Sequence, residues 1–94
     1  MSKIKCIIVE DEPLAAKVLS DYISQVPFLQ LQATCKDAIL ATEYLRDNST
    51  DLIFLDIHLP GKTGFDMLTE LDSAPHVIFT TAYDEYALKA FEVN

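Results

Sequence analysis

Leu52-Ile53-Phe54-Leu55-Asp56-Ile57-His58-Leu59-Pro60-Gly61-Lys62-Thr63-Gly64 is the stretch on which the fold of this chain turns. Its apolar run stops at one carboxylate, Asp56, and a turn-prone loop follows. A short apolar run bounded by polar turn residues predicts a strand buried on both faces. Pro60-Gly61 favours a turn, and Gly64 leaves the backbone free to bend before a helix that begins at Phe65. Asp56 is thereby placed where a parallel strand ends and its loop begins. In open α/β sheets that edge collects ligands. One acid there carries little by itself, so its meaning depends on what other segments bring beside it.

Upstream, Lys3–Glu10 contains the run Ile4-Lys5-Cys6-Ile7-Ile8-Val9-Glu10, which predicts a second buried strand. It leads into Asp11-Glu12-Pro13. Pro13 suits the first turn of a helix, whose free N–H groups Asp11 or Glu12 can cap. Leu14, Val18, Leu19, Tyr22 and Ile23 recur at helical spacing to about Gln25, and Pro27 closes the unit. Leu29–Cys35 alternates with period two, the pattern of an edge strand with one wetter face. Asp37 then caps a second helix carrying Ala38, Ile39, Ala41, Thr42 and Leu45. Downstream of the opening stretch, Phe65, Leu68 and Leu71 stripe a third helix, and Ser73-Ala74-Pro75 ends it. Val77–Thr81 reads as a fourth strand and Tyr83–Val93 as a fourth helix, with Ala87, Ala90 and Phe91 inward. Tyr83 and Tyr86 suit helix packing. Strand–helix repeated four times with short connections predicts βαβ units and a parallel sheet covered on both faces.

Ninety-four residues, half of them apolar, make one domain able to build a core. No apolar stretch is long enough to span a membrane, and the N-terminus lacks the pattern of a secretory signal. A cytoplasmic location follows from that reading. Cys6 and Cys35 lie in apolar strand-like segments without metal-ligand spacing and read as small core residues in a reducing compartment. A net charge of −8, with only seven scattered Lys and Arg, argues against a nucleic-acid surface. The acid excess suits either a solvated surface or carboxylates sharing a cation. Composition alone leaves both readings open.

Three strand ends bring side chains to one edge: Glu10 and Asp11 from the first, Asp56 from the third, Thr80 and Thr81 from the fourth. Neighbouring parallel strands lie ~4.8 Å apart, so acids at adjacent tips repel unless a cation intervenes. An all-oxygen set of this kind suits Mg2+, whose shell substrate phosphates complete. Asp is also a competent nucleophile for an aspartyl-phosphate. Against these stand plainer roles: Asp11 and Glu12 as helix caps, the threonines as β-branched strand formers, and His58 and His76 as surface or loop residues.

These residues resemble a family. Glu10-Asp11 after a first strand, Asp56 ending a third, the Asp-Ile-His-Leu-Pro-Gly-Lys-Thr-Gly loop and Thr81-Ala82 after a fourth strand are similar to the receiver domains of bacterial two-component response regulators. The stretch from Phe79 to Asn94 resembles the subgroup joined to LytTR-type DNA-binding domains. Each motif alone is weak; the four in this order are specific, and they run from Lys3 to Asn94. The resemblance implies a flavodoxin-like, doubly wound α/β fold of strand order 2-1-3-4, acting as a phosphoaccepting signalling domain and not as an enzyme. It implies Asp56 as phosphoacceptor from a sensor histidine kinase, Asp11 as a direct Mg2+ ligand, Glu10 acting through water, and His58 offering its backbone carbonyl. Thr81, directly before Ala82, would hydrogen-bond the phosphoryl oxygens; Thr80 is its neighbouring alternative, since adjacent strand residues face opposite ways.

Family receivers carry a fifth strand ending in Lys-Pro and a fifth helix, which this sequence does not reach by Asn94. Residues 1–94 are therefore expected to be an incomplete receiver whose fourth strand has an unpaired side, open to a homodimer or an exchanged segment. DNA binding would belong to an attached effector domain. A receiver-like interaction module that is not phosphorylated is the alternative. A dinucleotide-binding enzyme is disfavoured by two glycines in all and no Gly-rich loop after the first strand, and an aspartyl-phosphate hydrolase by the lack of an Asp-x-Asp pair.

Overall fold

The computed structural model describes residues 3–56, Leu59 and residues 75–80. The two most apolar runs become its central strands, β1 (Ile4–Val9) and β3 (Leu52–Asp56). Cys6 through Val9, Ile53 and Leu55 have no solvent exposure. A backbone so deeply buried must find its hydrogen bonds in neighbouring strands. It does so in a sheet of order β2-β1-β3-β4, with β2 (Leu29–Cys35) and β4 (His76–Thr80) outermost among the described strands and every pair parallel. The expected order and flavodoxin-like topology are observed.

The helices cover opposite faces. Helix α1 (Pro13–Ser24) packs Ala16, Leu19 and Ile23 on Cys6, Ile8 and Phe54. Helix α2 (Ala38–Asp47) packs Ala38, Ala41, Tyr44 and Leu45 on Ile7, Val9, Ile53 and Leu55. Alternation along the two central strands thus feeds two cores, one per face. Each large aliphatic side chain buried there contributes roughly 1.5–3 kcal/mol.

Two local findings depart from the periodicities. On α1 the apolar positions split: Ile23 is buried and Leu19 half-buried, whereas Leu14, Val18 and Tyr22 are exposed. Those three are spaced by four and form a separate strip, because a helix has more than one face at that spacing. On β2 the pairing register slips between Cys6 and Ile7: Leu31 lies opposite Cys6, but Ala33 lies opposite Ile7. Gln32 is the extra residue. It swaps the faces, so Leu29 and Leu31 pack toward α1 while Ala33 and Cys35 pack toward α2. Its amide turns to the loop before β3, where Nε2 donates to the Ser49 carbonyl and Oε1 accepts from the Thr50 hydroxyl.

The helix starts are built differently. Asp37 Oδ1 accepts the Leu40 N–H at 2.8 Å, the cap read from the sequence. At α1 the flanking residue is Glu12, whose own side chain makes no capping bond. At the far end of the sheet, the Asp51 carboxylate takes the Lys5 N–H at 2.9 Å, and the Asp51 carbonyl takes the His76 N–H at 3.0 Å. Asp51 thus ties β1 and β4 to the start of β3. The expected turn at Pro60-Gly61, the third and fourth helices, Tyr83, Tyr86, His58 and Thr81 lie outside the described residues.

Candidate functional site

Parallel strands end together, so β1 and β3 deliver their C-terminal residues to one edge. The register aligns Val9 with Leu55 and Asp56 with Thr80. Glu10 follows β1 directly and is held to the neighbouring strand, its N–H donating to the Cys35 carbonyl at 3.0 Å. The chain then turns through Asp11 into Pro13 and α1, whose fixed φ favours the helical turn. Glu10, Asp11 and Asp56 each present a carboxylate oxygen, and those oxygens lie within 4.8 Å of one another. The three acids expected at this edge are therefore together.

Their surroundings differ. Glu10 and Asp56 are buried, and Asp11 is the most open of the three. Burial, before any other cause, pushes the Glu10 carboxyl up from its ordinary value of 4.5 to about 7. The negative charges of Asp56 and Asp11 and a hydrogen bond with Asp56 push the same way. One contact opposes them: Glu10 Oε1 accepts the Glu12 N–H at 3.2 Å, favouring the ionised form. In the absence of a cation, Glu10 therefore holds its proton to near neutrality.

This donor set fits a hard divalent cation. Three carboxylates give oxygen ligands only, and they crowd negative charge into a partly desolvated corner that a positive ion would relieve. Within the cluster, the Glu10 and Asp56 side chains are in hydrogen-bonding contact. Thr80 is half-buried at the end of β4 beside Asp56 in the register. Thr81 and the His58 carbonyl lie outside the described residues, so this edge is described for Glu10, Asp11 and Asp56 of the expected set.

Sequence reasoning missed the double attachment of Glu10, to β2 by its backbone and to the start of α1 by its side chain. An acid two residues ahead of the residue flanking a helix is the signal that could have found it. Cys6 and Cys35 are free and buried; burial pushes both thiols up, and the Asp37 charge adds to this at Cys35. Both stay protonated and act as packing residues.

The sequence profile of response regulator receiver domains matches residues 6–94. The sensory transduction protein LytT of Enterococcus faecalis is 50% identical over 91 residues, covering 94% of this chain and 38% of that protein. The transcriptional regulatory protein BtsR of Escherichia coli is 37% identical, covering 95% and 38% respectively. The chain thus spans less than two fifths of the length of these relatives. Among solved structures, the response regulatory domain of protein mrkE from Klebsiella pneumoniae superposes with a TM-score of 0.80 at 34% identity, covering 96% of this chain and 76% of that one.

Proposed function

Because this chain belongs to the family of response regulator receiver domains, we propose that Asp56 is its phosphoacceptor, in a corner that binds Mg2+ through Glu10, Asp11 and Asp56. A receiver domain is a signalling domain of a phosphorelay and not a turnover enzyme. The observation that carries the residue assignment is the convergence of the three carboxylates on one strand edge.

Asp56 ends a rigid central strand, so its carboxylate is held in place before any donor arrives. One of its oxygens attacks the phosphorus of a phosphohistidine on the sensor kinase; the new P–O bond forms as the P–N bond breaks, and the imidazole leaves with a proton. Asp11, the most open acid, would hold the metal directly, and Glu10 would act through water. His58 would add its backbone carbonyl, and Thr81 would hydrogen-bond the transferred phosphoryl oxygens. When bound, Mg2+ neutralises the clustered carboxylates and the phosphoryl oxygens, which is where most of the help in phosphoryl transfer comes from. The same arrangement lets the domain promote its own phosphorylation and dephosphorylation.

For the whole protein, the likeness to LytT and BtsR supports a cytoplasmic regulator whose receiver controls a LytTR-type DNA-binding domain. Residues 1–94 are part of the receiver, in keeping with the 76% of the mrkE regulatory domain that they cover. The side of β4 away from β3, unpaired among the described residues, is where a homodimer or an exchanged segment would pair. No described helix is long and apolar enough to cross a membrane.

The test is incubation with Mg2+ and acetyl phosphate, read by intact mass and peptide mapping. A phosphoryl adduct on Asp56, absent from Asp56→Asn and from an EDTA-treated sample, is expected. An adduct that persists in Asp56→Asn would overturn the assignment. An unmodified wild-type chain would favour the receiver-like interaction module instead.

A further inference from the structure

Glu10 makes a contact that metal binding does not require. Its Oε1 accepts the N–H of Glu12, at 3.2 Å, and Glu12 is the residue flanking the start of α1. The side chain of Glu12 caps nothing, and Pro13 has no N–H to offer. The first α-helical bond, from the Ala16 N–H to the Glu12 carbonyl at 3.0 Å, springs from that same residue. The backbone of Glu10 is meanwhile fixed to β2 through the Cys35 carbonyl. Asp11 is the one residue between these two anchors.

We propose that Glu10 is a positioning residue for Asp11: by holding the Glu12 N–H it closes the β1–α1 turn and fixes where the Asp11 carboxylate stands relative to Asp56. Its contribution to cation affinity then has two separable parts, its own charge and the clamp on the turn. Partners that orient a metal ligand without being ligands typically set affinity by about 10–100-fold. This inference rests on the cation reading above.

Glu12→Pro separates the two parts, because it deletes the donor N–H and keeps the Glu10, Asp11 and Asp56 carboxylates. The site tolerates it: Glu12 has φ −84° and ψ 112°, near the φ that proline imposes and in the extended region favoured before Pro13. Calorimetric titration with Mg2+ should show affinity at least about tenfold weaker in Glu12→Pro, with an unchanged far-UV spectrum. In parallel, amide exchange of the metal-free protein should show the Glu12 N–H protected in wild type, still protected in Glu10→Gln, whose side-chain oxygen also accepts, and exposed in Glu10→Ala. Unchanged Mg2+ affinity in Glu12→Pro overturns this inference and leaves the cation reading standing. So does equal Glu12 exchange in Glu10→Gln and Glu10→Ala, which tests the clamp even if Glu12→Pro fails to fold. A wild-type chain that takes up no Mg2+ removes the cation reading and this inference together.

Discussion

Glu10→Gln should stabilise the metal-free protein at alkaline pH, although it removes a carboxylate from a site built of carboxylates. A group that ionises near 4.5 when free and at about 7 here is kept neutral by its surroundings. The sign follows from linkage: the folded chain holds this proton more tightly than the unfolded chain. Stability from this group is therefore fully present below about pH 4.5 and is lost as pH rises to about 7. Above that, the folded state carries the cost of charging Glu10, whose ceiling is about 3 kcal/mol at 1.36 kcal/mol per pH unit. Solvent at the rim of the site and relaxation of Asp11 reduce this to about 1–2 kcal/mol. The glutamine is nearly isosteric, keeps an oxygen for the Glu12 N–H and can donate to Asp56, so it removes the charging cost and little else. Urea unfolding with EDTA present, at pH 5 and pH 8, measures the effect. The variant should exceed wild type by about 1–2 kcal/mol at pH 8 and match it more closely at pH 5. A variant less stable than wild type at pH 8, or a difference that does not change with pH, would refute the reasoning.

Mg2+ affinity should fall as pH drops below about 7, because the Glu10 proton must leave before the corner is fully charged; titrations at pH 6 and 8, in buffers of different ionisation enthalpy, should count about one proton released at the lower pH. Ile23→Ala should cost about 2–5 kcal/mol because it empties part of the packing under α1, whereas Leu14→Ala, on the exposed strip, should stay within about 0.5 kcal/mol of wild type in urea. Asp37→Ala should cost about 1 kcal/mol through loss of the Leu40 N–H bond, with Asp37→Asn largely retaining it in thermal unfolding.

The two-sided core was legible because the runs at Cys6–Val9 and Ile53–Leu55 leave no polar position between them, and only central strands can bury such runs; the full strand order came with the family resemblance. Asp56, Glu10 and Asp11 were legible as a set for a related reason, since parallel strands place their ends on one edge. The slip in β2 was not legible. Leu29, Leu31, Ala33 and Cys35 keep perfect alternation in the sequence, and nothing local marks Gln32 as the residue to be skipped. What selects it is tertiary: a loop with two groups for its amide, and two cores that each need part of β2. Similarly, periodicity on α1 found the apolar residues without dividing them, because only the position of the sheet decides which of them is covered. The state of Glu10 depends on burial and on charges 46 residues away in sequence, which no local pattern carries.

The kink at Gln32 also makes the two flanks of the sheet unequal. A straight outer strand offers a continuous row of N–H and C=O groups that an incoming chain can copy, but a strand interrupted after its third residue breaks that row. Chain-to-chain zippering along the β2 flank is thus disfavoured.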